Sequence, residues 1–238
     1  MERLLNIKEA AELLNVSEIT IRRWTNRGLL KCYRVGGRRA RRFNLQDLQA
    51  VLEGDSLSTK SEMVSLGFNG LMVPDGAHVT HLSKGASEAL EVAVAFIADG
   101  LATNDTVGIV TPESEAQKIV KFLQQRNLDV EELRRSGRLH FSGGMNTPQG
   151  QGEYLKEIAA LSQRRSRIFG DMTWTKAKDW RSNDLLVLEE LVNRFPAKNI
   201  LYLCQYKLDR FSGEETMSAI ETHSHYIYRG ALNENPSR

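Results

Sequence analysis

From residue 87 to residue 230, short apolar runs rich in branched side chains alternate with longer amphipathic segments. The short runs have the length and composition of strands, and they read TVGIVT, RLHFSG, RIFGDMTW, KNILYLCQY and HYIYRG. The longer segments place apolar residues at helical spacing, as in SEALEVAVAFIADGLA and NDLLVLEELVNRF. Because strands separated by helices pair in parallel, this alternation predicts an α/β domain whose mostly parallel sheet is covered by helices.

The first 30 residues differ, because they contain two short helical patterns separated by a tight turn. Asn6 is a typical cap for a first helix, and Ser17 is a typical cap for a second helix at Glu18–Asn26. Ile21 and Trp24 lie three residues apart and are expected to face the first helix. This arrangement predicts a small helix-turn-helix domain.

The stretch RVGGRRARRF follows the second helix. Residues 32–35 and 40–43 alternate as strands do, and Gly36 with Gly37 predicts a two-residue hairpin turn between them. Asn44 is then placed to cap a last helix over residues 45–53. We therefore expect a β-ribbon, or wing, with arginines at its tip and on its returning strand.

Charge is distributed unevenly along the chain. Residues 1–53 contain eleven Lys/Arg and six Asp/Glu, a net charge of +5, whereas the remaining residues have a net charge of −3. The two cysteines cannot form a disulfide framework, which favours a reducing, cytoplasmic compartment. We find neither a signal peptide nor an apolar run long enough to span a membrane, so no membrane partner is expected.

Most runs of like charge are solvated loops. The arginine-rich run at residues 34–43, however, is joined to capped helices and to a core centred on Trp24. That combination favours double-stranded DNA as the partner, since each Lys or Arg that neutralises a phosphate releases a counterion. The planar fork of arginine suits both phosphate and guanine edges. The candidate DNA-binding residues are Ser17, Thr20, Arg22, Arg23, Asn26, Arg27, Arg38, Arg39, Arg41 and Arg42.

The stretches NIKEAAELLNVSEITIRRWTNRGLL and RRFNLQDLQAVLE resemble the MerR/excisionase group of winged helix-turn-helix domains. The resemblance covers residues 4–53. It implies a recognition helix in the major groove, a wing on the backbone or minor groove, and binding as a dimer or cooperatively. Mercury-type regulators continue into a long heptad helix. Here residues 54–79 lack heptads and are interpreted as a linker between a DNA-binding domain, 1–53, and an α/β domain, 80–238.

Three chemistries are open for the second domain. A phosphate-binding loop after TVGIVT is disfavoured, because TPESEAQK has no glycine and two glutamates. A metal site would use His78 with His81, or His223 with His225, together with Cys204; that spacing is weak evidence, and no metal or cofactor is predicted. The stretches 171–174 and 204–206 combine aromatic rings, sulfur-containing side chains and polar groups, and this mixture favours a small-molecule pocket.

Residues 81 to about 225 resemble the MEDS family of sensory domains. The resemblance is carried by His81, FIADGLATNDTVGIVTPE, LDVEELRRSGRLHF, RIFGDMTW and LCQYKLDRFSGEETMSAIETH. It implies a RecA-like α/β fold without a working P-loop, and a role in sensing hydrocarbon derivatives or related small molecules. Together with the pocket argument, it gives the candidate ligand-binding residues His81, Asp171, Trp174, Cys204, Tyr206 and His223.

The sequence therefore predicts a cytoplasmic one-component transcription regulator, acting as a homodimer, that binds DNA and a small-molecule effector. The alternative is an excisionase-like architectural protein whose second domain mediates assembly. An enzyme is disfavoured, because no nucleophile, base and orienting group are apparent together.

Overall fold

The computed structural model of the protein describes residues 4–26, 30–35, 40–52, 62–162, 164–194 and 199–235. It divides into two compact units, Met1–Glu62 and Met63–Arg238.

The described part of the amino-terminal unit contains three helices and a two-stranded ribbon. In chain order these are α1 Ile7–Leu13, α2 Glu18–Asn26, β1 Tyr33–Val35, β2 Ala40–Arg42 and α3 Leu45–Leu52. The Asn6 side chain accepts from the Glu9 backbone N–H at 3.0 Å, and the Glu9 carboxylate accepts from the Asn6 N–H at 2.7 Å. This reciprocal capping box fixes the start of α1, as the sequence predicted for Asn6.

Among the described residues of this unit, seven buried apolar side chains form its core: Ala10, Ala11, Leu14, Ile21, Leu30, Phe43 and Leu48. Trp24 is partly buried and packs against them. Leu5 and Phe43 exchange two backbone hydrogen bonds, at 2.8 and 2.9 Å, so the chain before α1 is tied to the end of the ribbon. The helix-turn-helix and the ribbon therefore share one small core.

The ribbon register differs from the predicted turn. Val35 pairs with Ala40 and Tyr33 with Arg42, whereas a two-residue loop at the two glycines would pair Val35 with Arg38. That prediction was wrong because Phe43, fully buried and paired with Leu5, sets the register of the returning strand. The connecting residues 36–39 lie outside the described part of the chain.

The second unit begins with an antiparallel hairpin, β3 Met63–Ser65 and β4 Met72–Pro74. Val64 and Val73 are buried in the core of this unit. Residues 63–79 are therefore not part of a linker, contrary to the sequence interpretation. Strands of three residues are too short to show periodicity in the sequence. Gly67 and Gly70 indicated a loop, but both lie in the connection of the hairpin, where their backbones have positive φ. Residues 53–61 lie outside the described ranges.

The remaining elements alternate strand and helix. They are β5 His78–Ser83, α4 Ala86–Ala102, β6 Thr106–Val110, α5 Glu113–Gln125, α6 Val130–Arg135, β7 Leu139–Ser142, α7 Pro148–Leu161, β8 Ser166–Asp171, α8 Thr173–Ala177, α9 Ser182–Arg194, β9 Ile200–Lys207, α10 Gly213–Thr222, β10 His225–Tyr228 and β11 Ala231–Glu234. Seven strands form one sheet in the order β11-β10-β5-β9-β8-β6-β7, and only β11 runs antiparallel to its neighbour. The predicted α/β architecture is confirmed.

Helices cover both faces of this sheet. One apolar cluster joins α4, α5 and α6 to the sheet, and a second joins α7, α9 and α10 to its other side. Since side chains alternate along a strand, His78 and Thr80 on β5 share one face while Val79 and His81 share the other. This alternation decides which polar groups meet below.

The connections from β5 to α4 and from β6 to α5 contain two residues each, 84–85 and 111–112. A P-loop needs a longer glycine-rich connection to wrap a phosphate. Separately, no helix in the described ranges is long and apolar enough to cross a bilayer.

Candidate functional site

The start of α2 is organised by two of the predicted DNA-binding residues. Ser17 Oγ accepts from the Thr20 backbone N–H at 3.1 Å and lies 2.9 Å from the Thr20 hydroxyl. Ser17 is exposed and Thr20 half-buried. This contact satisfies a backbone donor at the helix start, so both side chains have a local structural role.

The exposed side of α2 carries Arg22, Arg23 and Asn26. Arg22 lies 3.6 Å from Glu18 in an exposed (i, i+4) pair, which is weak enough to exchange for a phosphate. Arg41 on β2 donates to Asn26 Oδ1 at 2.6 Å. The hydrogen bond joins the wing to the carboxyl-terminal end of α2, so Arg41 lies beside the exposed end of that helix.

Arg42 is half-buried, and its Nη1 donates to the Arg41 carbonyl at 3.1 Å. Arg27, Arg38 and Arg39, also predicted to bind DNA, lie outside the described residues.

In the second unit, four donor side chains converge between the sheet and α9. They are His78 on β5, Glu189 on α9, Cys204 on β9 and His223 just after α10, and their ligand atoms all lie within 4.8 Å of one another. His78 Nε2 lies 3.4 Å from Cys204 Sγ and 3.3 Å from Glu189 Oε2, and His223 Nε2 lies 3.6 Å from the same oxygen. We call this group the His-Cys-Glu cluster.

Hydrogen bonds on the outer side of the cluster set the tautomers of both imidazoles. His223 Nδ1 lies 2.6 Å from the Ala219 carbonyl, which can only accept, so Nδ1 carries the proton. His78 Nδ1 lies 3.1 Å from Asn193 Oδ1, whose amide nitrogen donates to the Thr222 carbonyl at 2.8 Å. When the rings are neutral, both Nε2 atoms therefore present lone pairs to the cluster.

The cluster is electrostatically unusual. Tyr206 donates to Glu189 Oε1 at 2.8 Å, and both side chains are buried. Burial raises the pKa of the Cys204 thiol well above its ordinary value, and the Glu189 charge adds to this effect. Burial followed by the charge of Glu189 also raises the pKa of Tyr206. Without a cation, the thiol and the phenol therefore stay protonated.

Two spaces adjoin the cluster. An apolar cavity of about 30 Å³ is bordered by His78, Glu189, Cys204 and Trp174, with the remainder of its wall formed mostly by aliphatic side chains of the α7–α9 face. An open pocket of about 170 Å³ between α9 and α10 reaches Glu189 and Tyr206 from the other direction. A small ligand in either space would contact the cluster directly.

The predicted ligand-binding residues separate into three places. Cys204, Tyr206 and His223 meet at the cluster, and Trp174 borders the adjoining cavity while packing edge-on against Trp180 at 4.7 Å. His81 lies on the opposite sheet face, where its Nδ1 is 3.0 Å from the Gln205 amide nitrogen.

Asp171, at the carboxyl end of β8, accepts from Lys207 at 2.8 Å and from the Thr173 hydroxyl at 2.7 Å. Neither His81 nor Asp171 belongs to the cluster.

His78 and Glu189 are not among the ligand-binding residues predicted from the sequence. Sequence spacing pairs each histidine with a neighbour in the chain, whereas in the structure His78 lies beside His223. Glu189 could have been found, because it lies four residues after Leu185 and three before Val192, on the buried side of α9. A carboxylate on the apolar stripe of an amphipathic helix indicates a buried polar partner.

A winged helix-turn-helix joined to an α/β unit with a buried polar cluster has the build of a DNA-binding transcription regulator with a sensory domain. Residues 4–56 match a helix-turn-helix domain family, and residues 77–224 match the MEDS family, described as the methanogen/methylotroph, DcmR sensory domain. The chain belongs to the MEDS family. It is also similar to the transcriptional repressor DcmR of Methylorubrum extorquens (strain DSM 6343 / CIP 106787 / DM4), with 30% identity covering 93% of this chain and 90% of that protein.

Proposed function

We propose that the protein is a cytoplasmic one-component repressor that binds its operator as a homodimer, and whose DNA affinity is changed by a small-molecule effector in the second unit. The observation that carries the DNA-binding part is the Arg41–Asn26 hydrogen bond, which joins the wing to the carboxyl-terminal end of α2. The related repressor, similar over nearly its whole length, favours regulation over the architectural alternative.

On the DNA, α2 lies in the major groove, and the wing follows the adjacent backbone, as in the MerR/excisionase group that the sequence resembles. Arg22 and Arg23, both exposed, neutralise phosphates or reach guanine edges. Asn26 holds Arg41 in place from the end of the same helix. The predicted contacts of Arg27, Arg38 and Arg39 extend this surface.

The effector binds at the apolar cavity beside Trp174 and Cys204, and Tyr206 and His223 hold Glu189, which lines the same cavity. A ligand changes DNA affinity only if it binds two arrangements of the protein with different affinities. We propose that these arrangements differ in the spacing of the two DNA-binding units within the dimer.

Selection of duplexes from a random pool by the full-length protein tests the DNA-binding part. A homodimer is expected to select an inverted repeat and to bind it with two protomers per duplex, because protein symmetry is mirrored in the operator. The Arg22→Ala/Arg23→Ala variant should retain little of this binding, whereas Arg126→Ala/Arg134→Ala, on exposed helix ends of the second unit, should bind as the wild type.

Recovery of an unsymmetrical site bound by one protomer would contradict the homodimer. Equal binding by the two double variants would contradict the assigned surface.

A further inference from the structure

We infer that the His-Cys-Glu cluster is a binding site for one transition-metal ion, and that Zn²⁺ is the ion its donor set fits best. The inference deepens the proposed sensory role, and it rests on that role only for its regulatory consequence. Metal binding itself follows from His78, Glu189, Cys204 and His223, whose donor atoms converge in the second unit.

Three of the donor separations match those around a tetrahedral ion. With metal–nitrogen or metal–oxygen bonds of about 2.0–2.2 Å and a metal–sulfur bond of about 2.3 Å, neighbouring donors in a tetrahedron lie roughly 3.3–3.6 Å apart. The three separations around His78 Nε2 and Glu189 Oε2 are 3.3, 3.4 and 3.6 Å. All four donor atoms lie within 4.8 Å of one another, so small side-chain shifts would bring the remaining pairs to the same spacing.

The imidazoles are oriented as metal ligands are. A ligating histidine usually donates its outer N–H to a carbonyl or carboxylate, which fixes the ring and leaves the inner nitrogen to bind the ion. His223 makes this contact with the Ala219 carbonyl, and His78 makes it with the side-chain oxygen of Asn193. Asn193 is itself held by the Thr222 carbonyl, so the supporting shell is continuous.

The charges of the cluster balance a divalent cation. Two neutral imidazoles, one thiolate and one carboxylate sum to −2, so a +2 ion makes the bound site neutral in a region largely removed from water. Three of the residues are buried, and Cys204 is half-buried and lines the apolar cavity. In the metal-free site, the Glu189 carboxylate accepts a hydrogen bond from the Tyr206 hydroxyl at 2.8 Å.

The pairing of β5 with β9 places two of the ligands, His78 and Cys204, side by side on one sheet face. His78 is paired in register with Tyr202, so Cys204, two residues along the neighbouring strand, lies on the same face. The His78 and His223 rings lie 3.9 Å apart, closer than the roughly 5 Å between two imidazole centres on one tetrahedral ion. We therefore expect the ion to move His223, at the junction of α10 and β10, outward by about 1 Å. This shift is how the ion would act on the sensory domain.

The donor types select the metal. Nitrogen and thiolate ligands exclude Mg²⁺ and Ca²⁺, which bind oxygen, and the tetrahedral arrangement disfavours the tetragonal preference of Cu²⁺. Zn²⁺ accepts this mixture of nitrogen, sulfur and oxygen ligands. Co²⁺ takes the same geometry and reports it through visible absorption, so it is the probe of choice.

Full-length protein, purified without a histidine tag and stripped with a chelator, is titrated with Co²⁺ in the absence of DNA. We expect one Co²⁺ per chain, intense visible bands of a tetrahedral ion, a thiolate-to-cobalt charge-transfer band, and displacement of Co²⁺ by one equivalent of Zn²⁺. Cys204→Ser should lose the charge-transfer band, whereas Cys32→Ser, the matched variant of the other cysteine, should keep it.

Two further variants test the assignment without removing a ligand. Asn193→Ala, which loses the partner of His78, should weaken Zn²⁺ binding by about 10–100-fold. His225→Gln should bind Zn²⁺ as the wild type, since His225 faces Ser224 and not the cluster. Circular dichroism confirms that each variant is folded.

Failure of the wild-type protein to bind Co²⁺ stoichiometrically would overturn the inference, whatever the variants do. So would a charge-transfer band that is unchanged in Cys204→Ser or lost in Cys32→Ser. None of these measurements involves DNA. Loss of metal binding with intact operator binding would refute the metal site alone, and the reverse result would refute the proposed regulator alone.

Discussion

Arg167 Nε donates to Asp105 Oδ2 at 2.7 Å, and both side chains are buried beneath the α4 face of the sheet. The same guanidinium lies 2.8 Å from Asp99, while Arg165 lies 2.8 Å from Asp75 and 3.7 Å from Asp105. A buried ion pair is costly when one partner is removed, because the other charge remains desolvated. The network ties β8 to α4 and to the start of β6.

Asp105→Asn is therefore expected to destabilise the second unit by about 3–5 kcal/mol, since it leaves Arg167 without its shortest ionic partner. Urea unfolding monitored by circular dichroism measures the change. Arg194→Ala breaks the exposed pair with Glu190, at 3.3 Å, and should cost less than about 1 kcal/mol. If both variants lost a similar amount of unfolding free energy, the buried Asp105–Arg167 pair would contribute no more to stability than the exposed Arg194–Glu190 pair.

Gly144 has a φ of +82°, and a Cβ atom there would lie 2.1 Å from the Trp174 ring. Gly137 has a similar φ of +71° with nothing within 4 Å of its Cβ position. Gly137→Ala should cost only the backbone strain of about 1–2 kcal/mol. Gly144→Ala should add roughly 1–3 kcal/mol of overpacking. Thermal unfolding followed by tryptophan fluorescence compares the Gly137→Ala and Gly144→Ala variants. Equal melting temperatures would show that the Trp174 side chain moves aside at little energetic cost.

Arg41→Ala should weaken binding to all duplexes and lower the log–log salt slope by about one, as expected for one lost phosphate contact. If Asn26 positions Arg41 through their 2.6 Å hydrogen bond, Asn26→Ala should weaken binding too, and the double variant should lose less than the sum. Fluorescence anisotropy at several salt concentrations measures both quantities. If the losses of binding free energy in the two single variants added up to that of the double variant, Asn26 would not act by positioning Arg41.

Burial lowers the pKa of His81 below its ordinary value of 6.5, although Glu88, 3.6 Å away, acts in the opposite direction. As the pH falls below about 6.5, the unfolded chain takes up a proton at this residue before the folded chain does. The contribution of neutral His81 to stability is therefore complete above this pH and is lost progressively below it, by at most about 1.4 kcal/mol per pH unit.

His81→Gln is expected to flatten the decline of the unfolding free energy between pH 7.5 and pH 5.5. Glu88→Gln should steepen it, because the carboxylate that raises the His81 pKa is gone. Urea titrations at four pH values provide the measurement. A His81→Gln slope equal to that of the wild type would place the pH dependence on other groups.

Features that depend on residues close together in the chain could be predicted from the sequence. The Asn6 cap, the α2 bounds Glu18–Asn26, and the alternation that predicts a parallel sheet are all of this local kind. The short hairpin β3–β4 and the strand β11 escaped prediction, because three- or four-residue strands carry too little pattern to distinguish them from loops.

The sequence by itself determined a basic helix-turn-helix with a wing, and an α/β unit containing Cys204, Tyr206 and His223 as candidate site residues. Only the tertiary structure decided which of these meet. His78 and Cys204 are 126 residues apart in the chain, and they become neighbours because β5 and β9 pair in one register. Because side chains alternate along a strand, His78 points toward Glu189 and His81 points to the opposite sheet face. The spacing of the two histidines in the sequence does not reveal which of them faces α9.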